Sequence, residues 1–332
     1  MKDELAPLIQ DTLDSEHPDD FTLFQKIHDQ LAKWKVAQLN LQPRPLHIKE
    51  VMEQWETSKI ELQNEKNLML PPSHWAEHIG GFKKGEIICL ASRPQMGKTS
   101  SLLYLINTIS KHHNTLFLTP DIHERSIIQR MLAMTSGITV DQIKSGKLTD
   151  DMLRHLHNSA SKIYEMPLLI AGDYFLNLQD YTTYIESAIL REKTEVVIID
   201  NITSFENQGD EHHPKQVNQL LNEIKKLSQK HKVTFIFTAP VSKALEKEKG
   251  SKKPGLHHLQ PYGAITQWAD KIIFLYRPEY YGYTQDAQGQ STQNKMEWIL
   301  AKNKIGPTGT FAFDFNRNFG EIREIQHSSF PA

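Results

Sequence analysis

Short apolar runs alternate with helical segments from Gly80 onward. Six of these runs are apolar on consecutive residues: EIICLAS (86–92), TLFLT (115–119), PLLIAG (167–172), EVVIID (195–200), VTFIFTA (233–239) and KIIFLY (271–276). Such runs are typical of parallel strands covered on both faces, and the helical segments between them predict βαβ units. Two further runs, KMEWILA (295–301) and TGTFAFDF (308–315), predict an antiparallel hairpin at the sheet edge.

The chain before this region has helical character. Apolar residues of FTLFQKIHDQLAKWKVAQL (21–39) recur near helical spacing, and QPRP at 42–45 ends the pattern because proline removes a donor and restricts its predecessor. A second amphipathic stretch, LHIKEVMEQWETSKIEL, occupies 46–62. We therefore expect a helical N-terminal segment over 1–45, a further helical segment within 46–67 and an α/β domain over 68–332.

Composition and charge exclude several classes of protein. The 332 residues carry a formal net charge of −2, so the chain is not a polycation that coats nucleic acid. A single cysteine, Cys89, excludes a disulfide framework and a zinc site built from several thiolates. No apolar stretch approaches the ~20 residues that a membrane helix needs, and the N-terminus has no apolar leader region. We expect a cytoplasmic protein with no membrane partner.

The strongest chemical signal is ASRPQMGKTS (91–100), which follows a predicted strand and precedes a predicted helix. Gly97-Lys98-Thr99 matches the end of the phosphate-loop pattern GxxxxGK[ST], although Ser92 replaces its first glycine. Backbone N–H groups of such a loop bind phosphate oxygens, the lysine reaches the β- and γ-phosphates, and the threonine hydroxyl binds Mg²⁺. The residues predicted to bind nucleotide here are Ser92, Arg93, Pro94, Gln95, Met96, Gly97, Lys98, Thr99 and Ser100.

A phosphate loop also needs a distant acid for the metal. Asp200 ends the run VVIID and would lie at the carboxyl end of a strand, which is where ligands bind in open α/β sheets. Thr99 and Asp200 are therefore the predicted Mg²⁺ ligands. Asn201, not a second acid, follows Asp200, so a catalytic base must come from elsewhere, and Asp121 in TLFLTPD is available beyond a neighbouring strand.

The sequence resembles the C-terminal motor domain of DnaB-type replicative helicases. The matching blocks are GGFKKGEIICLASRPQMGKTS, SIIQRMLA with IKSGKLTDD, GAITQWADKIIFLYRPEYY and AKNKIGPTGTFAFDFNRNF, in the family's order, within residues 68–325. The resemblance implies a RecA-like P-loop NTPase core that uses ATP and Mg²⁺, binds single-stranded DNA and assembles as a homo-oligomer, a hexameric ring. It makes 46–67 a linker helix that packs on the adjacent subunit, and it leaves residues 1–45 as a segment for a replication partner.

The resemblance also implies roles for individual residues. Asp121 stands where the family has its catalytic glutamate, and Pro240 stands where it has a glutamine that senses the γ-phosphate. Lys302 and Lys304 match a basic pair that reaches the neighbouring subunit's nucleotide, the second being an arginine finger in the family. Arg277 and Tyr280 match a stretch near the nucleotide base and sugar, although Tyr280 is equally consistent with surface packing.

Three departures, at Asp121, Pro240 and Lys304, leave two functions open. The first is an ATP-hydrolysing helicase motor. The second is a DnaB-derived regulator or loader partner that binds nucleotide without productive turnover. A small-molecule kinase is disfavoured because the chain has no lid with clustered arginines.

Two remaining patterns concern charge and histidine. The segment 243–255 carries five lysines against Glu246 and Glu248, which suits backbone contacts to single-stranded DNA but also suits a solvated loop. The predicted DNA-binding residues are Lys243, Lys247, Lys249, Lys252 and Lys253. Sixteen histidines include adjacent pairs at 112–113, 212–213 and 257–258. Since adjacent side chains usually point in different directions, we expect none of these pairs to share a zinc ion.

Overall fold

The computed structural model of the protein describes residues 48–52, 74–172, 178–204, 213–286 and 288–330. The eight apolar runs and one further strand form a nine-stranded sheet. The strands are β1 Ile87–Ser92, β2 Thr115–Leu118, β3 Leu168–Ala171, β4 Val196–Ile199, β5 Thr234–Pro240, β6 Lys271–Tyr276, β7 Lys295–Asn303, β8 Gly309–Asn316 and β9 Glu321–Phe330. Their spatial order is β3-β2-β4-β5-β1-β6-β7-β8-β9.

Strands β1 to β6 are parallel to one another, whereas β7, β8 and β9 are antiparallel to their neighbours. The parallel part therefore has two distinct edges. We call the edge where β1–β6 end the C-terminal edge and the edge where they begin the N-terminal edge. Because β7 runs opposite to β6, its last residues lie at the N-terminal edge, with Lys302 beside Ile272 and Asn303 beside Lys271.

Helices cover both faces of the sheet, as the βαβ alternation predicts. They are α1 His74–Ile79, α2 Lys98–Ile109, α3 Glu124–Ser136, α4 Val140–Ser145, α5 Asp150–Tyr164, α6 Leu178–Arg191, α7 His213–His231 and α8 Gly263–Trp268. Short 3₁₀ helices span Lys243–Lys247, Leu256–Tyr262 and Pro278–Tyr281.

The core has two layers because alternate residues of each parallel strand face opposite sides of the sheet. Cys89 belongs to one apolar cluster, which α6, α7 and α8 complete, and Leu90 belongs to the other, which α1, α2 and α3 complete. Burial raises the pKa of the Cys89 thiol well above its ordinary value. The thiol is thus a packed core group, as its position in an apolar run predicts.

Two strands differ from the sequence-based expectation. The run PLLIAG predicts a strand covered on both faces, but β3 is the edge of the sheet and Leu169 is 39% exposed. The predicted hairpin of β7 and β8 is present, yet β9 pairs beyond it and forms the other edge. Strand β9 escapes a search for apolar runs because its sequence, EIREIQHSSF, mixes charged and apolar residues.

The chain divides into two units, Met1–Glu65 and Lys66–Ala332. In the first unit residues 48–52 are helical, and the rest of the predicted helical segments, 1–45 and the remainder of 46–67, lies outside the described residues. Across the described ranges, no helix has both the length and the apolar character required to cross a membrane.

Candidate functional site

The segment between β1 and α2 forms a tight loop at the C-terminal edge. Strand β1 ends at Ser92 and α2 begins at Lys98. Gln95 and Gly97 have φ values of 64° and 90°, in the left-handed region. The φ of Gly97 strains any residue with a Cβ, and a Cβ there would also lie 2.5 Å from the Met296 Cε atom of β7, which would have to move, so the turn favours glycine. Pro94 and Gln95 at the tip are exposed, whereas Met96 is buried.

The Lys98 ammonium lies inside this loop. Its Nζ donates to the carbonyl oxygens of Ser92 and Arg93 at 3.2 and 3.3 Å and to the Ser92 hydroxyl at 3.3 Å. Burial lowers the pKa of Lys98 to about 8; the Asp200 carboxylate opposes this shift and the Arg93 charge adds to it. The loop thus holds a poorly solvated cation at the N-terminus of a helix, an arrangement that stabilises a bound anion.

Thr99 and Asp200 meet beside Lys98, although 101 positions separate them in the chain. The Thr99 hydroxyl donates to Asp200 Oδ2 at 2.7 Å, and the Thr238 hydroxyl of β5 donates to Asp200 Oδ1 at 2.6 Å. Asp200 is only 6% exposed. A buried carboxylate next to a hydroxyl is a donor set that suits Mg²⁺, which prefers oxygen ligands and keeps several waters and phosphate oxygens. The residues present therefore fit the implied metal.

Asp121 lies at the same edge, just beyond β2. Its Oδ2 atom accepts from Asn201 Nδ2 at 3.2 Å and from Ser204 Oγ at 2.5 Å, and its side chain is exposed. Glu124, the next acid along the chain, is engaged elsewhere: its Oε1 accepts from the Gly172 N–H at 3.0 Å. Of the two carboxylates, Asp121 and Glu124, only Asp121 is exposed, and it lies beside the predicted metal ligand Asp200.

Pro240 and Arg93 lie on either side of the loop's first residue. Pro240 ends β5 and pairs in register with Ser92. Arg93 donates from Nη1 to the Val241 carbonyl at 3.0 Å and from Nε to Glu246 Oε1 at 3.0 Å. The first contact fixes the loop to the end of β5. The second joins it to the lysine-rich segment.

Arg277 supports the loop from the protein side. Its guanidinium is 2% exposed, donates from Nη1 to the Gln95 carbonyl at 3.0 Å, pairs with Glu279 and lies 5.1 Å from the Phe315 ring centre. Tyr280 is 46% exposed and packs edge-to-face on Tyr281, with ring centres 5.3 Å apart. Arg277 therefore contacts the loop backbone, while Tyr280 offers an exposed ring near the same edge.

Lys302 and Lys304 lie at the other edge of the sheet. Lys302 Nζ donates to the Thr266 carbonyl at 2.9 Å, and burial lowers its pKa. Lys304 Nζ lies 3.2 Å from Asp270 Oδ1, while the second Asp270 oxygen accepts the Ile87 N–H at 3.0 Å. The full length of β1 lies between these cations and the phosphate loop of their own chain. At the usual rise per residue of a strand, this length is about 20 Å.

The lysine-rich segment is shaped by contacts that sequence reasoning did not anticipate. Lys252 donates to the backbone carbonyls of Glu246 and Glu248, and Lys253 pairs with the buried Glu297 at 2.7 Å. The other three predicted DNA-binding lysines are exposed and have no ion-pair partner within the part of the chain that the structure describes: Lys243, Lys247 and Lys249.

Several residues that shape the site were missed by the sequence analysis. Thr238 is a hydroxyl inside an otherwise apolar run, and Asp270 is a carboxylate directly before one. A polar residue inside an apolar run, or directly before one, indicates a buried side chain with a hydrogen-bond or ion-pair partner. The pairing of Arg93 with Glu246, 153 positions apart, gave no local signal.

One protein family matches most of the chain. The family model described as the DnaB-like helicase C terminal domain matches residues 74–324. A probable replicative DNA helicase of Trieres chinensis is 26% identical over 244 residues, 72% of this chain and 53% of the relative. The replicative DNA helicase DnaB of Mycoplasma pneumoniae is 27% identical over 263 residues, 75% of this chain and 54% of the relative. The chain spans about half the length of these curated relatives.

Solved structures agree with the fold. The solved structure of an ATPase domain superimposes with a TM-score of 0.72 at 23% identity, covering 85% of this chain and all of that chain. A DnaB-like replicative helicase, described together with its interactions with primase, superimposes with a TM-score of 0.71 at 21% identity, covering 97% of this chain and 75% of that chain. These likenesses confirm the predicted RecA-like α/β sheet with antiparallel strands at its edge.

Proposed function

Because the chain belongs to the family of DnaB-like helicase C-terminal domains, we propose that it is an ATP-hydrolysing helicase motor that works on single-stranded DNA. One observation carries this proposal: Lys98, Thr99 and Asp200 converge at the end of a parallel sheet, beside a loop in which Gly97 has a φ of 90°. Relatives named as replicative helicases favour this function over a regulator without turnover.

The loop's own groups account for nucleotide binding. Backbone N–H groups at the start of α2 donate to phosphate oxygens, and the Lys98 ammonium exchanges its carbonyl contacts for the β- and γ-phosphates. Thr99 and Asp200 would hold Mg²⁺, and the ion would supply positive charge that offsets the negative charge of the phosphates. Thr238 keeps the Asp200 carboxylate oriented toward Thr99.

Asp121 acts on the attacking water in this proposal. Its carboxylate is exposed at the C-terminal edge, and the Asn201 and Ser204 side chains orient it. It accepts the proton of the water, or holds that water in line with the transferring phosphoryl group. Aspartate is one methylene shorter than glutamate, and a small misplacement of a positioning group is costly in rate.

Lys302 and Lys304 act on the nucleotide of a neighbouring subunit. They lie at the N-terminal edge of their own sheet and so cannot reach the loop of the same chain. A homo-oligomeric ring, which we propose to be a hexamer, places the N-terminal edge of one subunit against the C-terminal edge of the next. Lysine offsets charge there but lacks the bidentate fork of arginine.

Slow turnover follows from these two departures. We expect Asp121→Glu combined with Lys304→Arg to accelerate steady-state hydrolysis, because the double variant restores both the reach of the carboxylate and the fork of the cation. A wild-type rate within the ordinary range of ~1–100 s⁻¹, unchanged in the double variant, would remove these residues from the catalytic machinery.

Single-stranded DNA contacts the exposed part of the lysine-rich segment. Lys243, Lys247 and Lys249 are exposed and have no ion-pair partner among the described residues, an arrangement suited to phosphates without sequence readout. Lys252 and Lys253 shape the segment through their internal contacts. A replication partner is expected to bind through residues 1–45, which lie outside the described residues.

The proposal is tested by hydrolysis with and without single-stranded DNA, together with binding of a fluorescent ATP analogue. Lys98→Ala should lower hydrolysis by ~10² or more, the usual cost of losing one preorganised electrostatic contact. Lys111→Ala, an exposed lysine just beyond the other end of α2, is the matched control and should change neither property. Full binding and turnover in Lys98→Ala, or hydrolysis that DNA never stimulates, would refute the motor.

A further inference from the structure

Three side chains at the borders of the lysine-rich segment converge on one point. His258 Nε2 lies 2.9 Å from Glu248 Oε1, and His257 Nε2 lies 3.5 Å from the same oxygen. The three potential ligand atoms lie within 4.8 Å of one another, the only such group of histidine, cysteine or acidic side chains found among the described residues. The site is separate from Thr99 and Asp200.

This convergence contradicts the expectation that adjacent histidines point in different directions. Residues 257 and 258 lie in the 3₁₀ helix Leu256–Tyr262, and their ring centres are 3.8 Å apart with the planes inclined at 41°. Gly255 makes room for this arrangement, since a Cβ there would lie 3.2 Å from His257 Cε1. The two imidazole Nε2 atoms can therefore face one carboxylate.

His258 is held in a fixed orientation by the backbone. Its side chain is 2% exposed, its Nδ1 atom accepts the Gly255 N–H at 2.9 Å, and the Gly255 carbonyl oxygen lies 3.2 Å from the same nitrogen. In this arrangement Nε2 carries the ring proton and faces Glu248 Oε1 at 2.9 Å. The other tautomer, which would bind a cation through Nε2, donates from Nδ1 to the Gly255 carbonyl in place of the Gly255 N–H contact. A metal-binding histidine is commonly oriented in this way by a backbone carbonyl.

We propose that Glu248, His257 and His258 form a binding site for a divalent transition-metal ion of the Zn²⁺, Co²⁺ or Ni²⁺ class. Two imidazole nitrogens and one carboxylate oxygen select these ions over Mg²⁺, which prefers oxygen ligands alone. Tetrahedral Zn²⁺ with ligands at about 2.0–2.1 Å requires ligand atoms roughly 3.4 Å apart, close to the two distances to Glu248.

Three protein ligands leave at least one position for water, so the site is open. An ion here would tie residue 248 to residues 257 and 258. It would thereby close the segment that carries Lys249, Lys252 and Lys253 into a loop of fixed span.

Titration of the full chain with Co²⁺, in the absence of nucleotide and DNA, tests the proposal. We expect one equivalent to bind with visible absorption bands of four-coordinate geometry, and Zn²⁺ but not millimolar Mg²⁺ to abolish them. His257→Ala and Glu248→Gln should each weaken this binding by at least about tenfold, since loss of a direct ligand costs no less than loss of an outer-shell partner. Both residues are exposed, so folding is retained, which circular dichroism verifies.

His155→Ala is the matched control, because His155 is an exposed histidine that also lies near a carboxylate, 3.7 Å from Asp151. It should bind Co²⁺ as the wild type does. Gly255→Ala should weaken binding by displacing the His257 ring while keeping every ligand. Equal affinity in the wild type and in His257→Ala, or equal weakening in His155→Ala, would reduce the cluster to an ion pair and overturn the site. Neither result depends on hydrolysis.

Discussion

The two edges of the parallel sheet use charge in opposite ways. At the C-terminal edge, the Lys98 ammonium contacts only carbonyl and hydroxyl oxygens, and burial lowers its pKa to about 8. At the N-terminal edge, the buried Lys271 pairs with Glu86 at 2.5 Å and Lys304 pairs with Asp270. Among the described residues, the Lys98 ammonium has no ion-pair partner and would be stabilised by a bound anion, whereas Lys271 and Lys304 already have carboxylate partners and Lys302 contacts the Thr266 carbonyl. An anion therefore gains most at the first edge, while Lys304 would have to exchange Asp270 for a phosphate of the neighbouring subunit.

The prediction with the largest expected effect concerns the two edges of different chains. It is that the phosphate loop of one chain and Lys304 of its neighbour act on the same nucleotide. Lys98→Ala and Lys304→Ala chains should each be nearly inactive alone, since cationic fingers contribute ~10³–10⁵ in rate where arginine supplies them. Mixed in equal amounts, they should regain hydrolysis at roughly a quarter of the interfaces under random assembly. Those interfaces combine an intact loop from one chain with an intact lysine from the other.

The matched control mixes Lys98→Ala chains with chains that carry both substitutions. No interface then has an intact loop, so activity should stay absent. If the first mixture also stays inactive while assembly is normal by light scattering, the N-terminal edge does not act on a neighbour's nucleotide.

A second test sharpens the description of the C-terminal edge. Asp121→Asn should lower kcat by ~10²–10⁴ with ATP affinity unchanged, because the amide cannot accept a proton. Glu124→Gln should leave kcat within a few-fold, since its amide oxygen can still accept the Gly172 N–H. Steady-state kinetics of both variants measure these effects. A large loss of kcat in Glu124→Gln with little change in Asp121→Asn would make Glu124 the base.

A third test concerns stability at the N-terminal edge. Glu86→Gln should destabilise the fold by about 3–5 kcal/mol, because it leaves the buried Lys271 ammonium without its partner. Urea unfolding measures the loss, and Lys84→Ala is the control because it breaks only the partly exposed pair with Glu195, which should cost at most about 1 kcal/mol. Similar losses in both variants would contradict the comparison.

The smallest expected effect is a pH dependence of nucleotide binding. Since the pKa of Lys98 is about 8, its protonated fraction falls from most to about a tenth between pH 7 and pH 9, so ATP affinity should fall about tenfold. Loss of folding does not explain this fall in affinity. In the unfolded chain the pKa of Lys98 is near 10.5, so between pH 8 and 10.5 the unfolded chain binds more protons than the folded chain. The contribution of Lys98 to the stability of the fold therefore rises with pH. Calorimetric titration measures it, and a constant affinity would contradict the role of Lys98.

Local patterns predict the strands and the loop well, because both depend on residues close in sequence. Eight strands follow apolar runs, and the loop at 91–100 lies between a strand and a helix as its motif requires. The patterns do not predict β9, because a half-exposed edge strand needs few apolar residues. They predict β3 as covered on both faces, because apolar composition does not reveal an edge.

The pairings that define the two edges could not be found in this way. Asp270 meets Lys304 and the Ile87 N–H only because β6 lies between β1 and β7, which is a property of strand order. The contact of His257 with Glu248 depends on a 3₁₀ turn that no periodicity predicts. The residue types can be identified from the sequence, but the strand order and strand register that bring them into contact cannot.

Strand β7 contacts both edges. The Met296 side chain lies against Gly97 at one end, and Lys302 projects from the other end, about 20 Å away at the rise of an extended chain. In the proposed ring, one nine-residue strand thus spans from the nucleotide of its own subunit to that of the next. We expect a displacement of the loop upon phosphate binding to reach Lys302 through this strand, and successive sites therefore to hydrolyse ATP in rotational order and not independently.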